Sequence, residues 1–120
     1  MPSYSLNNIF LTGEIADVST ASSVRIPIAD DMEGEVVEVR TVLGGAIATA
    51  PAVITVYKNA ASMGTISITH TSSAEGDIDT LVPLTSDDDR FLVAGDYLKL
   101  TTSGASTNTI PAGFVVTIKR

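Results

Sequence analysis

The chain has no cysteine and no tryptophan, and it carries a single histidine. Without cysteine there are no disulfides, no thiolate metal sites and no cysteine nucleophile, and a small disulfide-stapled scaffold is ruled out. The aromatic residues are three Tyr and three Phe in 120 residues. Surfaces that hold sugars or single-stranded nucleic acid stack rings on their ligand, and little here could do so. Basic residues are also few: 7 against 14 acidic ones, for a net charge of −7. They are scattered as Arg25, Arg40, Lys58, Arg90, Lys99, Lys119 and Arg120. A nucleic-acid binder or a protein held on an anionic membrane needs its cations clustered, so both partners are argued against. No apolar run approaches the ~20 residues of a membrane span. Residues 1–8 lack the basic start and apolar stretch of a secretory signal, so the expectation is a chain made in a cytoplasm.

What the chain does have is a rhythm of period two. Ser23-Val24-Arg25-Ile26-Pro27-Ile28, Thr65-Ile66-Ser67-Ile68-Thr69-His70 and Asp96-Tyr97-Leu98-Lys99-Leu100-Thr101 all alternate apolar with polar residues. In a strand, successive side chains point to opposite faces, so each segment predicts a strand with one face on a core. Clusters of Gly, Pro, Asn, Asp and Ser punctuate the strands. The predicted strands are 9–15, 23–28, 35–43, 53–58, 65–71, 78–84, 97–102 and 112–119, with 46–50 uncertain and 91–93 leading into a tight turn at 94–96. Pro27 predicts an edge or an early end for the second strand. In the third, Val37, Val39 and Thr41 are expected on one face, with Val36, Glu38, Arg40 and Val42 on the other. The segment 53–58 has β-branched residues on both faces, which predicts a central strand. No helix has support. The fold class read from this pattern is all-β, an antiparallel β-sandwich of about eight strands, jelly-roll-like. At this length it is one domain over residues 9–120, preceded by an extended arm, residues 1–8.

Reaction chemistry is thin. His70 ends an alternating strand, and a catalytic role would need a nucleophile and an orienting carboxylate that nothing in the sequence singles out. Asp87-Asp88-Asp89 and Asp77-Ile78-Asp79 invite a calcium reading, but a hard cation wants six to eight converging oxygens and the EF-hand spacing is absent. Solvated acidic loops are the simpler account. Asp30, Asp31 and Glu33 could supply a glycosidase carboxylate, yet few rings exist to line a sugar cleft. Gly44-Gly45 matches no phosphate-cradling pattern and reads as a bend or bulge. No catalytic residue, metal ligand or cofactor is assigned.

Several segments carry a resemblance: Ser22-Ser23-Val24, Gly34-Glu35-Val36-Val37-Glu38-Val39, Val42-Leu43-Gly44-Gly45-Ala46-Ile47, Glu75-Gly76-Asp77-Ile78-Asp79, Val93-Ala94-Gly95-Asp96, and Gly104-Ala105-Ser106-Thr107 followed by Pro111-Ala112. In this order and spacing the chain resembles, over about residues 20–119, the small β-rich head decoration (cement) proteins of tailed bacteriophages. The resemblance implies a structural virion protein on the outer capsid surface. It would bridge major capsid protein subunits, self-associate as a dimer or trimer, and be made in a host bacterial cytoplasm. The expected docking elements are the arm residues Tyr4, Leu6, Ile9 and Phe10 with loops at one end of the sandwich. Such a ligand stabilises the shell by mass action. The alternatives are a phage tail or fibre module, or a carbohydrate- or calcium-dependent binding module.

Overall fold

The computed structural model describes residues 8–69, 71–83, 90–104 and 107–119. Among these are nine strands: β1 (Asn8–Ile15), β2 (Ser22–Pro27), β3 (Gly34–Leu43), β4 (Ala52–Lys58), β5 (Ala61–Ile68), β6 (Ile78–Leu81), β7 (Phe91–Leu92), β8 (Tyr97–Thr102) and β9 (Ala112–Lys119). The helical content among the described residues is one 3-10 turn, Asp30–Met32. One sheet has the order β1-β9-β3-β6, with β7 also paired to β3; the other has the order β2-β8-β4-β5. Consecutive strands therefore alternate between sheets at β1–β2 and β2–β3, and the chain returns to lay β8 beside β2 and β9 beside β1. A five-strand and a four-strand layer wound in this way are a jelly roll. β6 and β7 share one edge position, pairing with the C-terminal and N-terminal ends of β3 respectively.

The alternation read from the sequence places the core. Val116 and Ile118 of β9 and Leu98 and Leu100 of β8 are fully buried, as are Ile54 and Val56 of β4. Phe114 belongs to the same inner face. Opposite it in register stands Gly13 of β1. A methyl group at Gly13 would lie 2.6 Å from Phe114 Cζ, so the ring occupies the space that a side chain there would need. β2 is an edge strand that ends at Pro27, as expected. β4 is central, between β8 and β5. The bend at Gly44-Gly45 is present, and a methyl at Gly44 would meet the Pro111 carbonyl at 2.8 Å.

The structure corrects the phase of the third strand. Val36 and Val39 both face the core, and the β3–β9 register shifts between Val36 and Glu38. A bulge at Val37 inserts one residue, so side chains before it change faces relative to those after it. The segment 59–64, expected as a loop, holds only a tight turn at Asn59-Ala60; β5 already starts at Ala61 and ends at Ile68. Asn59 adopts φ 53, a left-handed conformation that Asn tolerates better than most residues. Its amide donates to Asp96 Oδ1 and accepts from the Tyr97 N–H, both at 3.0 Å, which ties this turn to the one before β8. Asn8, placed in the arm by the sequence, pairs with Lys119 in the sheet.

Between β1 and β2, Asp17 accepts the Ser19 N–H (2.9 Å), the Thr20 hydroxyl (2.8 Å) and the Ile110 N–H (3.1 Å). The fully buried Thr102 donates its hydroxyl to the Val18 carbonyl at 2.8 Å. The β1–β2 connection is thus locked onto the β8–β9 connection. Those donors hold the Asp17 carboxyl below its ordinary value, the Thr20 hydroxyl foremost. Asp96 is lowered in the same sense, first by the Val93 N–H and then by Asn59. Both carboxylates therefore contribute stability that is present above the ordinary carboxyl range and is lost as the pH falls through their lowered values.

Asp79 is the opposite case. Its partner in register is the buried Thr41, and burial raises its carboxyl, with the nearby Asp77 charge adding to the effect. At neutral pH the fold carries the ionised form at a cost. That cost disappears as the pH falls through the raised value toward the ordinary 3.8. Asp79→Asn is therefore expected to raise the melting temperature at pH 7 and to give no gain at about pH 3.5, where both states are protonated. Thermal melts of the two proteins across that range check the sign.

Candidate docking surface

The two outer faces of the sandwich differ in chemistry. On the β2-β8-β4-β5 sheet the register turns Ser23, Arg25, Lys99, Thr101, Thr55 and Tyr57 outward. This face is polar: Ser23 Oγ and Thr101 Oγ1 are hydrogen-bonded at 2.8 Å, and Lys99 Nζ lies 4.6 Å from the Tyr57 ring centroid. No exposed large apolar side chain among the described residues lies here.

All six exposed large apolar side chains of the described residues fall on the other sheet or on the segments leaving it. Phe10 of β1 is 58% exposed and Ile78 of β6 is 62% exposed. Val42 of β3 and Phe91 of β7 also point outward, while Val82 and Val93 follow β6 and β7 directly. The register explains the gathering. Val42 pairs with Ile78 on one side and with Gly113 on the other, and Gly113 pairs with Glu14. Without a side chain, Gly113 opens a shallow hollow of about 320 Å³ lined by Arg40, Val42, Ile78 and Val115. A second hollow of about 390 Å³ lies near Phe91, Val93, Glu35 and Lys119.

Ion pairs lie among these apolar side chains. Arg40 Nε is 2.7 Å from Glu38 Oε1. Arg90 pairs with Glu35, and its guanidinium carbon sits 4.4 Å from the Phe91 ring centroid. Scattered single apolar residues on a surface need no explanation, but several on one sheet face with ion pairs among them have the make-up of a protein-docking patch. Both hollows are open and mostly apolar, with Arg40 in the first and Glu35 and Lys119 in the second.

The residues singled out from sequence are placed as follows. Phe10 is exposed on the outer face of the β1-β9-β3-β6 sheet, whereas Ile9 points inward and packs against the core. Tyr4 and Leu6 lie outside the described residues, as do His70 and Asp87-Asp88-Asp89. Asp30 and Asp31 sit in the exposed 3-10 turn, and Glu33 accepts the Ala94 N–H at 2.6 Å. Asp77 accepts the Ala74 N–H at 2.9 Å. Among the described residues, no group of three His, Asp or Glu side chains is placed to hold a metal ion. Val42, Ile78, Phe91 and Val93 were not singled out from the sequence. A signal for Val42 was present, since it shares the parity of the charged Glu38 and Arg40 and so had to face water with them.

No protein-family model matches the chain, and no curated protein matches it. Among solved structures it is similar to CsCBM6-3 from Clostridium stercorarium, solved in complex with cellobiose, at 12% identity and a TM-score of 0.57, covering 95% of this chain and 83% of that one. It is also similar to a chain of the acid-stable capsid of Helicobacter pylori bacteriophage KHP30, at 16% identity and a TM-score of 0.51, covering 94% of this chain and 87% of that one. At these identities the likeness establishes the fold: the chain is an all-β, two-sheet jelly roll of a kind found both in a sugar-bound module and in a phage capsid.

Proposed function

We infer that this chain is a structural virion protein that docks on the outer surface of a phage capsid and stabilises the shell by bridging major capsid protein subunits. The observation that carries the reading is that every exposed large apolar side chain among the described residues lies on one sheet face or on the segments that leave it, with the Glu38–Arg40 and Glu35–Arg90 pairs among them. A flat face with a few apolar anchors fits another protein's surface better than it fits a small molecule. The opposite sheet, with its hydroxyls and cations, stays in water. The fold shared with a KHP30 capsid chain supports the reading at the level of architecture. The chemistry asked of the molecule is adhesion, and no residue is given a catalytic role.

The test uses DNA-free heads assembled from the major capsid protein of the genome that encodes this chain. The wild-type protein is expected to co-sediment with heads and to raise their disruption temperature, because it binds the assembled shell and not its subunits. Replacing both Phe10 and Ile78 by serine removes two exposed anchors and is expected to weaken binding by about tenfold or more, with the melting temperature of the free protein unchanged. Binding to tails alone, or to neither particle, would overturn the reading.

A further inference from the structure

The two sheets have four edges, and three of them carry a device that prevents pairing with another strand. β2 ends in Pro27, which has no N–H to donate, and it bears the exposed Arg25. β5 is bulged against β4, and a methyl at its Gly64 would lie 2.7 Å from Leu81 of β6, so β5 and β6 lean on each other. The β6 edge is itself only four residues long and is followed by Pro83. β1 carries a single charge, the exposed Glu14 next to its end, and none of the other devices. It is eight residues long, pairs with β9 without a register shift, and contains no Pro, Lys or Arg. Among the described residues no strand pairs with its outer side. A long regular edge strand with a row of unused backbone donors and acceptors is a template for another strand.

We propose that the occupant is a second copy of this chain, with β1 pairing antiparallel to β1 about a two-fold axis through Leu11. The pattern of β1 is its own complement in that register. Phe10 of one copy stands opposite Thr12 of the other, and Ile9 stands opposite Gly13, where it meets the Phe114 ring that lies over that glycine. Asn8 stands opposite Glu14, and Leu11 meets Leu11. Moving the axis one residue to Thr12 would set the Phe10 ring against the Glu14 carboxylate. Directly opposite residues of an antiparallel pair share a face, so inner positions stay inner and outer positions stay outer. An isologous contact of this kind closes on itself and joins two five-stranded sheets into one. It also sets the two Phe10-bearing faces side by side, pointing the same way. The pairing does not depend on what those faces bind, so it can fail while the docking reading stands.

The absence of cysteine makes the test clean. Sedimentation velocity of the full chain is expected to give twice the monomer mass. Thr12→Lys places a charge on the edge and is expected to weaken self-association by about tenfold or more, with circular dichroism unchanged. For the register, Phe10→Cys and Thr12→Cys proteins are mixed and oxidised. A disulfide between the two different variants, in excess of either self-linked product, is the expected result. A monomer at every concentration, which is what pairing of β1 by the chain's own residues 1–7 would give, overturns the proposal. So does a threefold mass, a dimer that Thr12→Lys leaves intact, or cross-linking without preference for the mixed pair.

Discussion

Replacing Phe114 by alanine is expected to lower the free energy of unfolding by about 3–5 kcal/mol, read as a shift of the urea midpoint. Phe114 is the one phenylalanine of the buried core, on a β9 strand flanked by β1 and β3. The neighbouring core residues are aliphatic side chains fixed to sheet backbones, so they can close only part of the space the ring leaves. The more discriminating measurement is at Gly13. With the ring in place, Gly13→Ala puts a methyl 2.6 Å from Phe114 Cζ and is expected to cost about 1–3 kcal/mol, because the ring has to move. In the Phe114→Ala background the obstacle is gone. The same Gly13→Ala change then restricts the unfolded chain and adds apolar contact, and its effect is expected to be neutral or stabilising. This reversal between neighbours is a coupling that a double-mutant cycle reads directly. An equal cost for Gly13→Ala in both backgrounds would mean that the ring does not decide the glycine.

Gly104→Ala is expected to destabilise by about 2–4 kcal/mol, from a left-handed backbone and a backbone clash together. Gly104 has φ 78, and a methyl there would meet the Ala21 N at 2.7 Å and the Ser19 carbonyl oxygen at 3.1 Å. Those atoms belong to the β1–β2 connection, which Asp17 and Thr102 already hold in place, so they cannot withdraw cheaply. Gly95 and Gly76 provide the control. Their φ values are 95 and 92, and a methyl at either would meet nothing within 4 Å. Alanine at these two positions should cost about 1–2 kcal/mol, the conformational part alone. Denaturant curves for the three variants separate the contributions, and equal losses at all three sites would show that the approach of the β1–β2 connection to Gly104 has no energetic weight.

The docking reading draws on two different distances along the chain. Phe10 was visible as an apolar residue early in the sequence, beside Ile9, and the two looked equivalent. They separate only once β1 is paired with β9: Ile9 opposes the buried Ile118, whereas Phe10 opposes Thr117 and stays in water. Ile78 and Phe91 are 13 positions apart in sequence and belong to different short strands. They come to one face because both strands pair with β3. A gathering of this kind leaves no local trace.

The alternation of apolar and polar residues was enough by itself to establish an all-β chain, to place eight of its strands within a few residues, to name the core faces of β2, β5 and β8, and to mark Pro27 as an edge. Side-chain direction in a strand depends only on the residue's own position, so one pass along the chain reads it. The jelly-roll order, the bulge at Val37 that turns Val36 inward, the fit of Phe114 over Gly13 and the gathering of Phe10, Val42, Ile78 and Phe91 on one face were decided by tertiary structure. Each depends on which strand pairs with which, a choice made between residues distant in sequence and settled by burial of the whole core at once.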